Sequence, residues 1–233
     1  PDIFYLRDTN GDGVADERRV VLTGFSTAKS SHSRVSSPVL GWDGKIHVAC
    51  GANGGRVTSP EHPERPPVEV AETDGRFDPE TFVYESTGGR SQFGFAFDAF
   101  GRQFGSVNRY PVRHAVLETR DLERNPYLAF NTTTQNVSKF LGEAKVYPIS
   151  DPFILSEWLR IYRPERPIES HVGTFTAGSG LVFFDGSGLT DEYVGNAFIC
   201  EPAQNVVHRQ VLQASGASFR SNAAHEGREF LAS

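Results

Sequence analysis

The chain has 233 residues, 38% hydrophobic and 12% aromatic, which is enough to bury a sizeable core within one domain. A formal charge of −6 and a pI near 5.7 argue against the basic stripe of a nucleic-acid binder. No apolar run approaches the roughly 18 residues of a membrane helix, so no transmembrane segment is expected.

Twenty-three glycines, 14 prolines and 18 phenylalanines, without long helical periodicity, predict an all-β chain with many tight turns. Methionine is absent and the chain opens at Pro1 almost directly on a strand, which reads as a fragment or a processed piece.

The first elements are two strand-like runs, Ile3-Phe4-Tyr5-Leu6 and Arg19-Val20-Val21-Leu22, joined by an acidic loop. From Asp8 to Asp16 the loop offers oxygens from Asp8, Asn10, Asp12, the Val14 carbonyl and Asp16, with Gly13 at the bend. That spacing suits Ca²⁺, which takes six to eight hard oxygen ligands. The twelfth position is Arg19, where an EF-hand needs a bidentate Glu, so the loop reads as a hairpin tip. An Asx-rich turn with solvated carboxylates is the other reading.

Next comes a polar loop, Lys29 to Arg34, carrying His32. Three segments then share a pattern of apolar strand, glycine-containing turn and apolar strand: Pro38 to Ala49, Phe95 to Ser106, and Leu181 to Cys200. Gly44 lies 57 residues before Gly101, and Gly101 lies 94 before Gly195. Repeated small antiparallel sheets predict a β-propeller with insertions, about four blades in this length against six or seven for a closed ring. The single partial domain then spans 1–233. Its insertions fall near 59–79, a Pro- and Glu-rich stretch expected to be a surface loop, and near 119–169, where Ser156 to Tyr162 reads as a short helix or strand.

Cys50 and Cys200 stand in strand-like contexts, 150 residues apart. Spacing alone cannot pair them. Buried free thiols are the expectation, with a disulfide as the alternative. Asn108 to His114 gathers Asn108, Arg109, Arg113 and His114 beside a strand, and could line a central face. His208 and His47 sit within strands and read as hydrogen-bonded structural histidines, with one of His208 and Arg209 facing inward.

Three stretches together carry a resemblance: Phe4 to Arg18, Leu40 to Ile46, and Glu192 to Arg209. They resemble the membrane-bound dehydrogenase domain of planctomycete and verrucomicrobial bacteria, which is similar in turn to the soluble sugar dehydrogenases that carry pyrroloquinoline quinone on a propeller. In those enzymes a histidine precedes a Gly-Pro-Asp-Gly-type turn, as His32 precedes Gly41-Trp42-Asp43-Gly44, with Trp42 in place of proline. Their Arg-Asn-Pro-Gln-Gly segment is matched here at Arg90 and Gly94, with Ser91 and Phe93 as departures.

The resemblance implies a periplasmic or otherwise extracytoplasmic oxidoreductase. His32 is its base, and Arg90, Asn108 and Arg109 are its candidate quinone-binding residues. The substrate is a sugar or alcohol, and the electron acceptor beyond the quinone is a c-type cytochrome outside these residues. The reading from a different class is a non-catalytic, calcium-stabilised propeller that binds carbohydrate or a protein partner.

Overall fold

The structure, a computed structural model, describes residues 1–29, 31–130, 132–138, 144–151, 153–162, 164–165 and 172–233, and for 153–156 the backbone alone. Strands occupy 39% of the chain and helices 9%, arranged as four antiparallel sheets that do not close on themselves. The all-β expectation therefore holds.

β1 (Ile3–Arg7) and β2 (Glu17–Phe25) form the expected hairpin, closed by the Asp16 N–H donating to the Arg7 carbonyl at 3.0 Å. β3 (Ser36–Leu40) and β4 (Ile46–Ala49) start a second sheet. The chain then turns back at Gly51–Gly55, so that β5 (Gly55–Thr58) and β6 (Val68–Val70) extend the first sheet in the order β1-β2-β5-β6. β7 (Gly75–Phe77) and β8 (Tyr84–Ser86) complete the second, β3-β4-β7-β8. This interleaving depends on glycine. A Cβ at Gly24, whose φ is +92°, would collide with the Arg56 carbonyl across the β2–β5 pair.

The stretch 59–79 is thus not only a loop, since it contains β6 and β7. Val68 and Val70 are β-branched and pair with Val57 and Gly55, and Gly75 leaves room for the Tyr84 ring on β8. Proline confines the loop character to the residues before Val68.

The third sheet is built in simple order from β9 (Phe95–Phe97), β10 (Gln103–Val107), β11 (Tyr110–Ala115) and β12 (Thr134–Asn136). A single helical turn, α1 (Thr119–Glu123), lies between the last two. The 153–162 stretch forms α2 (Phe153–Tyr162), with Leu159 buried and Trp158, Ile161 and Tyr162 exposed. Residues 131, 139–143, 152, 163 and 166–169 of that insertion lie outside the described residues.

The fourth sheet contains β13 (Ser179–Phe183), β14 (Ala197–Glu201), β15 (Val206–Ser215) and β16 (Ser218–Ala223), with β17 (Leu231–Ala232) also pairing to β15. All three segments that shared the strand-turn-strand pattern are paired strands: β3–β4, β9–β10 and β13–β14. The first two of those turns share one hydrogen-bond scheme. Gly41 N–H donates to the Lys45 carbonyl at 2.8 Å and Asp98 N–H to the Arg102 carbonyl at 3.1 Å, while Gly44 and Gly101 at positive φ close the turns.

Two apolar cores hold the sheets in pairs. Leu22, Phe25, Val48, Val57, Phe77 and Tyr84 fill the space between the first and second sheets. Phe104, Val112, Phe175, Leu181, Ile199 and Val206 fill that between the third and fourth. The seam between the second and third sheets is different because it adds buried polar groups to Phe95 and Phe97, which pack against His47.

Asp74, 1% exposed, sits in that seam. It accepts hydrogen bonds from the Ser91 N–H (3.0 Å), the Ser91 hydroxyl (2.7 Å), the Gln103 amide (2.9 Å) and the Cys50 N–H (3.4 Å). Burial pushes its carboxyl upward, and these donors pull against that shift. The first strands of three sheets also adjoin. The Gly180 N–H donates to the Phe93 carbonyl at 3.0 Å, and a Cβ at Gly94 would lie 3.6 Å from Ser37 Oγ and 3.7 Å from Gly180 N.

Both cysteines are free thiols. Cys50 is buried, as expected, and bonded to the Tyr84 hydroxyl at 3.1 Å, with burial pushing its pKa up to about 12. Cys200 departs from expectation. It is exposed, because it occupies the one outward-facing position in the β14 pattern. His208 is buried and its Nδ1 pairs with Glu229 at 2.7 Å, the structural role expected. Arg209 is buried as well, so both residues of that pair are enclosed. Its guanidinium donates to Asn196 Oδ1 at 2.9 Å and to the Glu192 carbonyl at 3.0 Å.

Candidate functional site

Strand direction sorts the candidate residues. His32 precedes β3, Arg90 precedes β9, and Asn108 and Arg109 form the turn from β10 to β11, so all four stand at one end of the second and third sheets. Local contacts tie them together. The His32 ring lies 6.5 Å from the Phe93 ring, the Asn108 N–H donates to Gln92 Oε1 at 3.4 Å, and the Asn108 carbonyl accepts from the Gly178 N–H at 3.1 Å. His32 is exposed on a short 3-10 turn.

A cavity of about 350 Å³ opens at this end, lined among others by Gly51, Arg90, Gln92, Tyr110, Arg113 and Asn136. Arg90 lines it and is ion-paired to Glu72, which also holds Lys29. Arg113 is the cation that sequence reasoning placed on this loop without singling it out. Its partners are all neutral: Asn136 Oδ1 at 3.0 Å, Thr134 Oγ1 at 2.7 Å and the Arg90 carbonyl at 3.2 Å. Burial, and then the like charge of Arg90, pulls its pKa down. Among the described residues no carboxylate forms an ion pair with it. Arg109 stays in the turn and Asn108 engages through its backbone.

The opposite end of the same seam carries a second, larger cavity of about 550 Å³. His47 on β4 lines it, buried, with Nε2 3.1 Å from Asp43 Oδ1 in the β3–β4 turn. Among the described residues its enclosed Nδ1 has no hydrogen-bond partner. Burial, opposed by the Asp43 carboxylate, holds the imidazole below its usual pKa. An ionised carboxylate can only accept, so Nε2 carries the hydrogen shared with Asp43. Asp43 itself is pushed up by burial. The His47 bond, the Lys45 N–H and the Arg76 charge outweigh that and keep it ionised.

Arg76 on β7 ties the wall together. It reaches Asp43 Oδ2 at 3.1 Å, Glu85 at 2.8 Å and both oxygens of Glu118, at 2.8 and 3.1 Å. Arg120 and Lys45 complete the pairing of Glu118 and Glu85, so three cations meet three carboxylates. Trp42, 75% exposed, and Phe100, 81% exposed, stand at the rim. The indole of Trp42 lies beside Gly101, whose positive φ of +76° is what calls for glycine at that turn. His47 was expected to be a hydrogen-bonded structural histidine, and its bond to Asp43 agrees. The available signal for a site was the four-residue spacing of Asp43 and His47 across a tight turn.

In the acidic hairpin the side-chain oxygens organise their own loop. Asp8 accepts from the N–H groups of Asn10 (3.2 Å), Gly11 (2.7 Å) and Gly13 (2.8 Å), Asn10 from Asp12, and Asp12 from Val14. Asp16 accepts the Thr9 hydroxyl at 2.8 Å. The Gly13 and Gly11 bonds lower the pKa of Asp8. Among the described residues no group of three or more His, Cys, Asp or Glu is set to hold a metal ion.

The fold is thus that of an all-β protein whose sheets pack pairwise and whose polar seam opens into a cavity at each end. The chain belongs to the family described as a domain of unknown function, DUF7133, whose sequence model matches residues 1–233. No curated protein and no solved structure matches it. No helix among the described residues is long and apolar enough to cross a membrane.

Proposed function

We propose that the chain is part of a β-propeller that oxidises a sugar or alcohol outside the cytoplasm. In this reading it uses a pyrroloquinoline-quinone-type acceptor and passes electrons to a c-type cytochrome. One observation carries the reading: Arg90, paired to Glu72, and Arg113, whose hydrogen-bond partners among the described residues are all neutral, are like charges on the wall of one cavity. Paired guanidinium forks suit a ligand with several carboxylates, which such a quinone is.

The propeller part of the reading rests on the adjoining first strands at Ser37, Gly94 and Gly180, and further sheets would complete the ring. The quinone, when bound, supplies the two-electron acceptor for a hydride. His32, at the same end, would take the proton from the substrate hydroxyl. Arg90 and Arg113 bind the carboxylates, and Asn108 and Arg109 lie on the turn beside them.

The hairpin completes the proposal as a structural Ca²⁺ clip of Asp8, Asn10, Asp12, Asp16 and the Val14 carbonyl. Its donor set is all oxygen, as that ion requires.

The test is calorimetric titration of the chain with pyrroloquinoline quinone, followed by dye reduction with aldoses and alcohols. Binding that weakens by about tenfold or more in Arg113→Gln is expected. Absence of binding, or binding indifferent to Arg113→Gln, overturns the reading.

A further inference from the structure

The larger cavity lies at the far end of the seam from Arg90 and Arg113, and nothing in the dehydrogenase reading uses it. We infer that this cavity, lined by His47 and rimmed by Trp42 and Phe100, is a binding site for a neutral carbohydrate. The volume of about 550 Å³ falls within the range of small-molecule sites, roughly 300–1,000 Å³.

Charge selects the ligand class. Three cations that line it, Arg76, Arg102 and Arg120, stand against three carboxylates, Asp43, Glu118 and Asp121, so the formal charge of the wall balances and favours neither an anion nor a cation. What remains is hydrogen-bonding capacity. The paired carboxylates that line it, Asp43 and Glu118, retain lone pairs that accept hydroxyl protons. A ligand that fits must therefore donate several hydrogen bonds without carrying charge.

The rim adds the second requirement. Trp42 and Phe100 come from equivalent turns of neighbouring sheets and expose flat apolar faces, one against Gly101 and one with the Arg102 guanidinium 4.8 Å from its ring centre. Two exposed aromatic rings on one rim form a patch, and patches of this kind mark ligand-binding grooves. The C–H face of a pyranose covers an aromatic plane while its hydroxyls reach the polar floor. A purely apolar ligand would strip water from the paired carboxylates without replacing its hydrogen bonds, and a charged one would disturb the balanced ion-pair network.

Oligosaccharides of glucose, mannose, xylose and galactose, titrated into the full chain by calorimetry and followed by tryptophan emission, test this. At least one is expected to bind and to change the emission. Phe100→Ala and Trp42→Ala each weaken that binding by about tenfold or more while the fold, by circular dichroism, is unchanged. Arg113→Gln leaves it unaffected, and Trp42→Ala leaves quinone binding unaffected, so the two sites fail independently. No binding across the panel, or binding that survives both rim substitutions, overturns the inference. Binding lost in Arg113→Gln also overturns it, because the sugar would then sit at the other end.

Discussion

His47 Nε2 and Asp43 Oδ1 lie 3.1 Å apart across the turn between β3 and β4, and Gly41 is what lets them meet. A Cβ at Gly41 would sit 2.6 Å from His47 Cδ2 and Nε2 and 2.7 Å from Asp43 Oδ1, inside van der Waals contact. Gly41→Ala should therefore displace the imidazole and destabilise the chain by about 1–3 kcal/mol, the usual range for overpacking. Urea unfolding of the two proteins measures it. An unchanged midpoint would mean that the turn relaxes freely.

Stability should fall as pH drops below about 6.5, through buried histidine. Burial lowers the pKa of His47, which faces Asp43, Arg76 and Glu118. Burial, then the Arg102 charge, does the same for His114, whose Nδ1 meets Ser218 Oγ at 3.0 Å. Below their ordinary value of 6.5 the unfolded chain binds protons that the folded chain refuses, so the slope of stability against pH is positive there and flat above it. Thermal unfolding from about pH 7.5 down to 5.5 reads this, with His114→Phe expected to reduce the slope. A flat profile would show that neither histidine is protected.

Asp74→Ala should be among the most damaging single changes. It orphans the Ser91 N–H and hydroxyl, the Gln103 amide and the Cys50 N–H in a closed site, at about 1–3 kcal/mol for each buried donor left unpaired. Asp74→Asn keeps the shape but turns an N–H₂ toward donors, and should fall between the two. Denaturant midpoints in the order wild type, Asn, Ala check the claim, and equal midpoints would remove Asp74 from the seam's support.

Calcium should bind the hairpin and depend on Asp12. Asp12 accepts only the Val14 N–H within the loop, so Asp12→Ala removes an ion ligand with little loss of loop geometry. Calorimetric Ca²⁺ titration of wild type and variant should differ, whereas identical traces would make the loop a self-contained Asx turn.

Much of the fold was readable along the chain, because its causes are local. Alternation of apolar residues and Asp-Gly or Phe-Gly turns marked β3–β4, β9–β10 and β13–β14, and the flanks of the acidic loop marked β1–β2. What failed was pairing over distance. Proline and glutamate between 59 and 79 suggested a loop, while β6 and β7 form there because β5 and β4 offer them edges. No local pattern announces an available edge.

The candidate site divides in the same way. The sequence by itself determined the residue types and their turns: a polar loop with His32, a cationic stretch ending in Arg113, and a tight turn holding Asp43 four residues before His47. The tertiary structure alone decided which of these share a cavity. Strand direction sends His32, Arg90, Asn108 and Arg109 to one end of the polar seam and His47, Asp43 and Arg76 to the other. The physical reason is that burial and charge pairing depend on which sheets pack together. Arg113 finds Asn136 and Thr134, and His47 finds Asp43, through strand pairing and turn geometry that no local pattern in the sequence announces.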